Sequence, residues 1–159
     1  AYGLDTQLTW RLHSSLTAIL AATLLHTEVK NYNGINGLGQ PENFDGAEFL
    51  YSPEQSGSAT LLYDREIADN LGLSASFNAH YQSQSEAGLE SSELSEVDAY
   101  TLFNATIGIH TLDGHWDLSF WGNNLTDEYY WLSVTQNANT VIRFAGKSRT
   151  YGTSLTYRF

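Results

Sequence analysis

The chain has 159 residues and a net charge of −11, from 18 acidic and 7 basic residues. This acidic excess argues against a nucleic-acid partner, because phosphate binding needs clustered cations. The absence of cysteine excludes disulfides and thiolate metal sites, and the abundance of Tyr, Thr, Ser and Gly favours strands over helices.

No stretch approaches the ~18 apolar residues of a membrane helix. The best apolar run, Ala18 to Leu25, is short and is broken by Thr23. Membrane insertion of this sequence would therefore have to be as a β-barrel. The chain begins at Ala1 without an initiator Met or a signal peptide, from which we expect a mature, processed or partial chain.

Seven segments alternate between apolar and polar residues, as strands do when successive side chains point to opposite faces. The first alternates from Tyr2 to Leu12, and the second from Leu16 to Leu24. The others, in chain order, cover residues 58–64, 71–82, 103–110, 116–120 and 149–159. We therefore predict an all-β fold of about seven antiparallel strands.

The connections between these strands alternate in length. Short turns near 13–15, 67–70 and 112–115 are interleaved with long loops at about 31–55, 84–98 and 128–148. Transmembrane β-barrels show this asymmetry, with short turns on the periplasmic side and long loops on the extracellular side. Segments of roughly 9 to 12 residues also match the length that a tilted strand needs to cross the hydrocarbon.

The two predicted faces differ in a way that favours a membrane barrel. The polar face carries Ser, Thr, Asn, Gln, Gly and His rather than Lys or Glu, which suits a wet or plugged lumen better than bulk solvent. The apolar face carries aromatic residues at both ends, as two girdles would. They are Trp10, Tyr63, Trp116, Tyr157 and Phe159 near the short turns, and Tyr2, Tyr81, Phe103 and Tyr151 near the long loops.

Three segments resemble a known family. Residues 123–130, with Asn-Leu-x-Asp-x-x-Tyr at their centre, resemble a segment found late in TonB-dependent outer-membrane receptors. Residues 146–159 resemble the last strand of these receptors, and residues 8–12 followed by a short turn are similar to an earlier periplasmic hairpin. The segments occur in the right order and span nearly the whole chain.

The resemblance implies an antiparallel transmembrane β-barrel of roughly 22 strands, of which residues 1–159 form one segment, the C-terminal third. The plug domain that fills such a barrel, and the box that contacts TonB, are absent from the sequence. Tyr157 and Phe159 are the implied signal read by the barrel-insertion machinery.

The implied function is uptake of a scarce nutrient, such as a ferric siderophore or another metal complex, across a Gram-negative outer membrane. The implied partners are outer-membrane lipid and lipopolysaccharide, the remainder of the barrel with its plug, and a small-molecule ligand. The TonB energy-transducing complex would act through the plug.

The aromatic residues of the loop at 31–55 are the candidate ligand-binding residues. Tyr32, Phe44, Phe49 and Tyr51 stand there among Asn and Gly, a mixture that can stack on a ligand and hydrogen-bond to it. The alternative, which we favour, is a loop that packs on its own aromatic side chains.

Arg143, Lys147 and Arg149 form the basic cluster of the sequence. They either attract an anionic ligand or a lipopolysaccharide phosphate, or simply pair with acidic residues nearby, and we hold these alternatives equal. Arg143 is included among the candidate ligand-binding residues. The acidic loop at 86–98 could hold a divalent cation, but it matches no calcium-loop spacing and a solvated loop is preferred.

Three histidines, His26, His80 and His110, are expected toward the long-loop ends of their strands, where they could meet a metal complex on one lumen wall. Hydrogen bonding in the lumen is preferred to metal ligation, because the histidines come from strands of unknown register.

No catalytic motif is recognisable: the chain lacks a Gly-x-Ser-x-Gly elbow, a His-Glu-x-x-His motif, a phosphate loop and a cysteine nucleophile. We therefore predict that it is not an enzyme and that it has no cofactor and no metal site. Two rival interpretations stay open. One is a small closed outer-membrane barrel with a structural or adhesion role, with an eighth strand hidden in the 31–55 loop; the other is a soluble β-sandwich that binds carbohydrate or peptide.

Overall fold

The structure, a computed structural model, describes residues 1–36, 39–90, 94–137 and 140–159. The regular elements in these ranges are all β-strands. In chain order they are β1 (Tyr2–His13), β2 (Leu16–His26), β3 (Asn33–Ile35), β4 (Pro41–Asn43), β5 (Gln55–Ala68), β6 (Leu71–Gln82), β7 (Ser85–Glu86), β8 (Glu96–Val97), β9 (Tyr100–Thr111), β10 (Trp116–Asn123), β11 (Trp131–Asn137), β12 (Thr140–Ala145) and β13 (Thr150–Tyr157). The described part of the chain has no helix that is long and apolar enough to cross a membrane.

Seven strands form one antiparallel sheet in the order β1-β2-β5-β6-β9-β10-β13. Each of the five inner strands hydrogen-bonds to the long strand before it and the one after it, so the sheet is an up-and-down meander. The all-β, seven-stranded prediction is confirmed. The third long strand is longer than predicted, because Gly57 and Ser56 at one end and Arg65 and Glu66 at the other obscure the alternation.

Three short connections join the long strands at one end of the sheet, which we call the short end. At two of them the backbone reaches positive φ, 60° at Asn70 and 76° at Gly114, where Asn and Gly are the residues best tolerated. The two turns also bind each other. The Asn70 amide nitrogen donates to Asp113 Oδ2 at 3.1 Å, and the Asp113 backbone N–H donates to Asn70 Oδ1 at 3.1 Å.

The opposite, long end carries three long connections, at 27–54, 83–99 and 124–149. Each contains a small two-stranded hairpin: β3 with β4, β7 with β8, and β11 with β12. These hairpins were not predicted. Two of them have strands of only two or three residues, too short for an alternating pattern. The third is interrupted by Gln-Asn-Ala-Asn at 136–139, a sequence typical of a loop.

The cross-strand register places the apolar positions of all seven long strands on one side, the apolar face. One row across the sheet consists of Trp10, Ala18, Leu61, Phe77, Ala105, Gly122 and Tyr151. Large apolar side chains on this face are exposed, including Trp10 at 59%, Phe120 at 56% and Leu155 at 64%. The predicted aromatic residues lie at its two ends, with Trp116 opposite Tyr157 at the short end.

The other side, the polar face, is cross-linked by side-chain hydrogen bonds. Thr23 Oγ1 donates to Asp5 Oδ1 at 2.6 Å across β1 and β2. Asn78 Nδ2 donates to Thr60 Oγ1 at 2.9 Å, and Asn104 Nδ2 donates to Asn78 Oδ1 at 3.4 Å, so one ladder of polar side chains spans β5, β6 and β9. Among the described residues, no buried side-chain nitrogen or oxygen lacks a hydrogen-bond partner.

The sheet is open. Its edge strands are β1 and β13, and each pairs on one side only within the described part of the chain. Every residue of β1 is exposed, on both faces. Neither rival architecture is seen in the described ranges. The described residues of the connection at 27–54 add no eighth strand to the sheet, and no second large sheet packs against the first, as a sandwich requires.

The deepest burial lies in the long connections rather than in the sheet. The buried apolar side chains of the described residues are Ala18, Phe44, Val97 and Val134, and all except Ala18 belong to long connections. Val97 and Val134 are each only 2% exposed. The connections therefore have a small core of their own.

Candidate ligand-binding surface

The first long connection is folded around two of the predicted aromatic residues. The rings of Tyr32 and Phe44 stack with centroids 5.9 Å apart. Phe44 is 6% exposed, whereas Tyr32 is 48% exposed. A Cβ on Gly34 would lie 3.1 Å from atoms of both rings, so glycine gives this pair its room. This packing corresponds to the alternative favoured from the sequence, although Tyr32 still presents much of its ring to the outside.

The other two predicted aromatic residues lie where the first connection returns to the sheet. The Phe49 backbone N–H donates to Thr27 Oγ1 at 2.9 Å, and its ring is 43% exposed. Tyr51 reaches both other connections. Its backbone N–H donates to the Glu86 carbonyl at 2.7 Å, and its hydroxyl donates to the Val134 carbonyl at 2.8 Å.

Arg143 lies on β12, opposite Val134 of β11. Its guanidinium carbon is 5.5 Å from the centroid of the Trp131 ring, a cation–π distance. Tyr129 meets the same indole edge-on at 5.0 Å. The structure therefore brings Arg143 and Tyr51 to the same residue of β11, while Tyr32 and Phe44 form a separate pair.

The other two cations of the predicted basic cluster have different surroundings. Arg149 pairs with Asp127 at 3.8 Å, and its backbone N–H donates to Asp127 Oδ1 at 2.8 Å. Pairing with a nearby acid, one of the two alternatives, is thus what Arg149 does. Lys147 makes no ion pair within the described ranges.

A pocket of about 400 Å³ opens on the polar face beneath the third long connection. Trp121, Tyr130 and Lys147 line it, with amide and hydroxyl residues of β9, β10 and β13. The Trp121 ring lies against Gly152, and its Nε1 donates to Ser154 Oγ at 3.2 Å. An indole, a phenol and an ammonium group together can stack on a planar group and attract an anion. The sequence signal for this pocket was an aromatic residue, Trp121, in the polar register of its strand.

The sequence comparisons give a family but no individual relative. Residues 1–125 match the model of the family described as "TonB dependent receptor-like, beta-barrel". The chain belongs to this TonB-dependent receptor family. A search of the curated proteins found no match.

Solved structures of siderophore receptors share the fold of this family member. The ferric yersiniabactin uptake receptor FyuA from Yersinia pestis superimposes with a TM-score of 0.83 at 13% identity, over 99% of this chain and 23% of that one. The siderophore receptor PiuA from Acinetobacter baumannii gives 0.77 at 17% identity, over 98% and 21%. BauA, the ferric preacinetobactin receptor of the same organism, gives 0.69 at 21% identity, over 98% and 21%. The chain thus spans between a fifth and a quarter of these receptors.

The Asn-Leu-x-Asp motif of this TonB-dependent receptor segment forms a local hydrogen-bond network. Asn124 is 4% exposed and has a φ of 50°. Its Nδ2 donates to the carbonyls of Glu128 at 2.8 Å and Lys147 at 3.0 Å, and its Oδ1 accepts the Glu128 N–H at 2.8 Å. Asp127 contributes the bonds to Arg149 already described. The motif therefore ties the beginning of the third long connection to its end, just before β13.

The last strand ends in the aromatic residues expected to act in receptor assembly. Tyr157 packs on Trp116 with ring centroids 4.4 Å apart, and Phe159 meets Tyr157 edge-on at 5.0 Å. Phe159 is fully exposed. Neighbouring backbone bonds hold this end in place, since the Arg158 N–H donates to the His115 carbonyl at 2.9 Å.

The predicted position of the histidines is wrong for two of the three. His80 lies on the polar face near the long end. His26 lies at the long end as predicted, but it opposes Tyr2 on the apolar face, with ring centroids 5.0 Å apart, because it shares the parity of the leucines in β2. His110 lies at the short end, 3.9 Å from Asp64, because β9 runs toward that end. The three side chains therefore cannot form one site.

The acidic loop at 86–98 forms part of the second long connection. Ser95, 4% exposed, donates to Glu86 Oε2 at 3.1 Å and to the Glu90 carbonyl at 2.9 Å. Glu93 of this loop lies outside the described residues. Within the described ranges, no group of three or more His, Asp or Glu residues is arranged to hold a metal ion.

Proposed function

We propose that residues 1–159 form one wall segment of a TonB-dependent receptor in the bacterial outer membrane, as part of a larger barrel of roughly 22 strands. The observation that carries the proposal is the polarity of the two faces. One face exposes Leu, Ile, Phe and Trp across seven strands, and the other carries hydrogen-bonded Asn, Thr, Ser and Asp. In a membrane barrel the first would meet lipid and the second the lumen.

The connections support a sidedness for this wall. The short end would lie in the periplasm, and the three long connections would face the outside, where they meet the ligand and lipopolysaccharide. The polar face would contact the plug, through which the TonB complex drives import. In this role the protein binds and transports a ligand and carries out no chemical reaction.

A ferric siderophore, or a related metal complex, is the proposed cargo. The solved receptors with the same fold are named as siderophore receptors, among them ferric yersiniabactin and ferric preacinetobactin receptors. Such a complex is planar in parts and often anionic. It would suit the exposed rings of Tyr32, Phe49 and Tyr51 and the cation of Arg143, with the buried Phe44 supporting Tyr32 from within.

Tyr157 and Phe159 are proposed as the assembly signal. Both lie at the periplasmic end of the last strand in the proposed orientation, and the ring of Phe159 has no neighbour over most of its surface. An exposed aromatic residue at the end of a strand with one unpaired edge would be accessible to the machinery that inserts the barrel.

The uptake of radioactive iron tests the function. Cells that lack the receptor containing this chain, and cells that carry it, are supplied with ⁵⁵Fe complexes of catecholate, hydroxamate and phenolate siderophores under iron limitation. We expect energy-dependent accumulation of at least one complex only in cells with the receptor. Equal accumulation of every complex in both strains would contradict siderophore uptake.

A matched pair of arginine substitutions tests the ligand surface in the same assay. Arg143→Ala is expected to raise the concentration for half-maximal uptake by roughly tenfold, as loss of one charged contact of about 1.4 kcal/mol would do. Arg65→Ala, at the short end of β5 and in register with the apolar face, is the control and should leave uptake unchanged. Equal effects of the two substitutions would remove Arg143 from the binding surface.

A further inference from the structure

The three long connections meet at one tyrosine. Tyr51 belongs to the first connection, its backbone N–H binds the Glu86 carbonyl of the second at 2.7 Å, and its hydroxyl binds Val134 of the third. We propose that Tyr51 is a positioning residue whose hydroxyl locks the three connections into one preformed unit. This inference goes beyond the proposed function, because it holds whatever ligand the unit receives.

The hydroxyl of Tyr51 takes the place of a neighbouring strand. It donates to the Val134 carbonyl at 2.8 Å, and it accepts the Val134 N–H at a longer 3.4 Å. Val134 and Arg143 are opposite residues of the β11–β12 ladder, and both backbone groups of Val134 point away from β12 toward the phenol. One hydroxyl thereby satisfies the outward-facing backbone pair of an edge strand, the position at which sheets otherwise bind further strands.

The backbone of Tyr51 is held in a conformation that a non-glycine residue seldom adopts, with a φ of 52°. Such a conformation persists where surrounding contacts over-determine it. Here the backbone N–H is fixed by the second connection and the hydroxyl by the third. The strained residue is thus located where the connections are tied together.

The contact is made to one of the two most buried apolar side chains of the described residues. Val134 on β11 and Val97 on β8 are each 2% exposed, and β8 and β11 pack against each other. A pocket of about 280 Å³ next to Val134 is lined by residues of all three connections, Tyr51, Gly88 and Thr135 among them. The connections therefore share one small core, and the Tyr51 hydroxyl closes one side of it.

Hydrogen exchange measured by mass spectrometry tests this role in the receptor that contains the chain, folded in detergent. Tyr51→Phe keeps the ring and the backbone but removes both bonds to Val134. We expect amide exchange in β7, β8 and β11 to accelerate roughly tenfold, corresponding to two weak hydrogen bonds. Tyr32→Phe is the matched control: it is the same substitution in the same connection, at a hydroxyl that makes no hydrogen bond within the described ranges. It should leave exchange unchanged.

Acceleration confined to Val134, or an equal effect of Tyr32→Phe, would overturn the proposal. A distance measurement gives a second readout. The chain has no cysteine, so spin labels can be placed by Leu50→Cys and Leu132→Cys, at exposed positions of the first and third connections. We expect a single narrow distance between the labels and a broad distribution once Tyr51→Phe is added. Distributions of equal width would also overturn it.

Discussion

At the scale of single residues, the contacts of Asn124 explain why the Asn-Leu-x-Asp motif begins with asparagine. An asparagine tolerates the positive φ found there, and its amide offers two donors and one acceptor. All three meet backbone groups, namely the carbonyls of Glu128 and Lys147 and the N–H of Glu128. Aspartate would keep the acceptor but lose both donors, and glycine would keep only the backbone conformation.

Asn124→Gly isolates the contribution of this side chain, because the positive φ stays favourable. We expect the free energy of unfolding of the receptor to fall by about 2–3 kcal/mol, because the three hydrogen bonds of the Asn124 side chain are lost. Chemical denaturation in detergent measures this. Asn123→Gly, at the exposed neighbouring position, is the comparison and should have a smaller effect. If the two variants have the same free energy of unfolding, the hydrogen bonds of the Asn124 side chain contribute nothing to stability.

Asp113, in a turn at the short end, has a lowered pKa. Hydrogen bonds from the Thr111 side chain, the His115 backbone N–H and the Asn70 side chain lower the pKa of this exposed carboxyl from 3.8 to about 2. A lowered pKa means that the folded state favours the charged form. The stabilisation is therefore complete above pH 3.8 and is lost as the pH falls toward 2.

Carboxyl ¹³C shifts of the labelled receptor should show this titration directly. We expect the Asp113 midpoint near pH 2 in the folded protein. In the variant Asn70→Ala the midpoint should move upward, since one donor is removed. A midpoint near 3.8 in the unsubstituted protein would show that the turn does not hold the carboxylate.

The candidate site illustrates what residue-level reasoning can and cannot predict. The aromatic composition of residues 31–55 indicated stacking, and Tyr32 and Phe44 do stack. Which ring is buried depends on the path of the connection and on the space beside Gly34, neither of which the sequence shows. The role of Tyr51 was equally inaccessible, because its partner Val134 is 83 residues away along the chain.

At the scale of elements, alternation predicted the long strands well because a single rule governs them. Each residue faces either the apolar or the polar side, so one parity identifies the whole strand. The short hairpins obey no such rule, since they are held by a few backbone bonds and local side chains. The histidines show the remaining difficulty. The alternation along a strand predicts which face of the sheet a residue lies on, but the direction of the strand is also needed to predict which end of the sheet it lies at.

The two faces of β6 provide a direct test of the proposed membrane setting. Phe77 lies near the middle of the apolar face, and its neighbour Ser76 lies on the polar face. In lipid, Phe77→Lys is expected to cost about 2–4 kcal/mol of folding free energy, because a charge would enter the hydrocarbon. Ser76→Lys should cost far less. Unfolding titrations of both variants in lipid vesicles measure the difference.

The order of these two effects tests the membrane setting. A sheet whose apolar face met water would have no reason to tolerate Lys at position 76 better than at position 77. Equal destabilisation by Phe77→Lys and Ser76→Lys would contradict the membrane setting. A larger effect at Ser76 would place the polar face in the drier environment.

At the scale of the whole molecule, the open sheet explains the unusual distribution of exposed side chains. A strand such as β1, exposed on both faces along its full length, has ladder groups on one side that no described residue satisfies. Such an edge is a pairing site for a further strand. The sequence predicted seven strands and an incomplete wall, but the curvature and extent of the intact barrel depend on strands that this chain does not supply.

The odd number of long strands in the sheet has a practical consequence for labelling. Tyr2 lies opposite His26 at the long end, whereas Tyr157 lies opposite Trp116 at the short end. The two extremities of the segment therefore emerge in different compartments once the sheet crosses a membrane. An epitope next to Tyr2 would be stained on intact cells, and one following Phe159 only after the outer membrane is permeabilised.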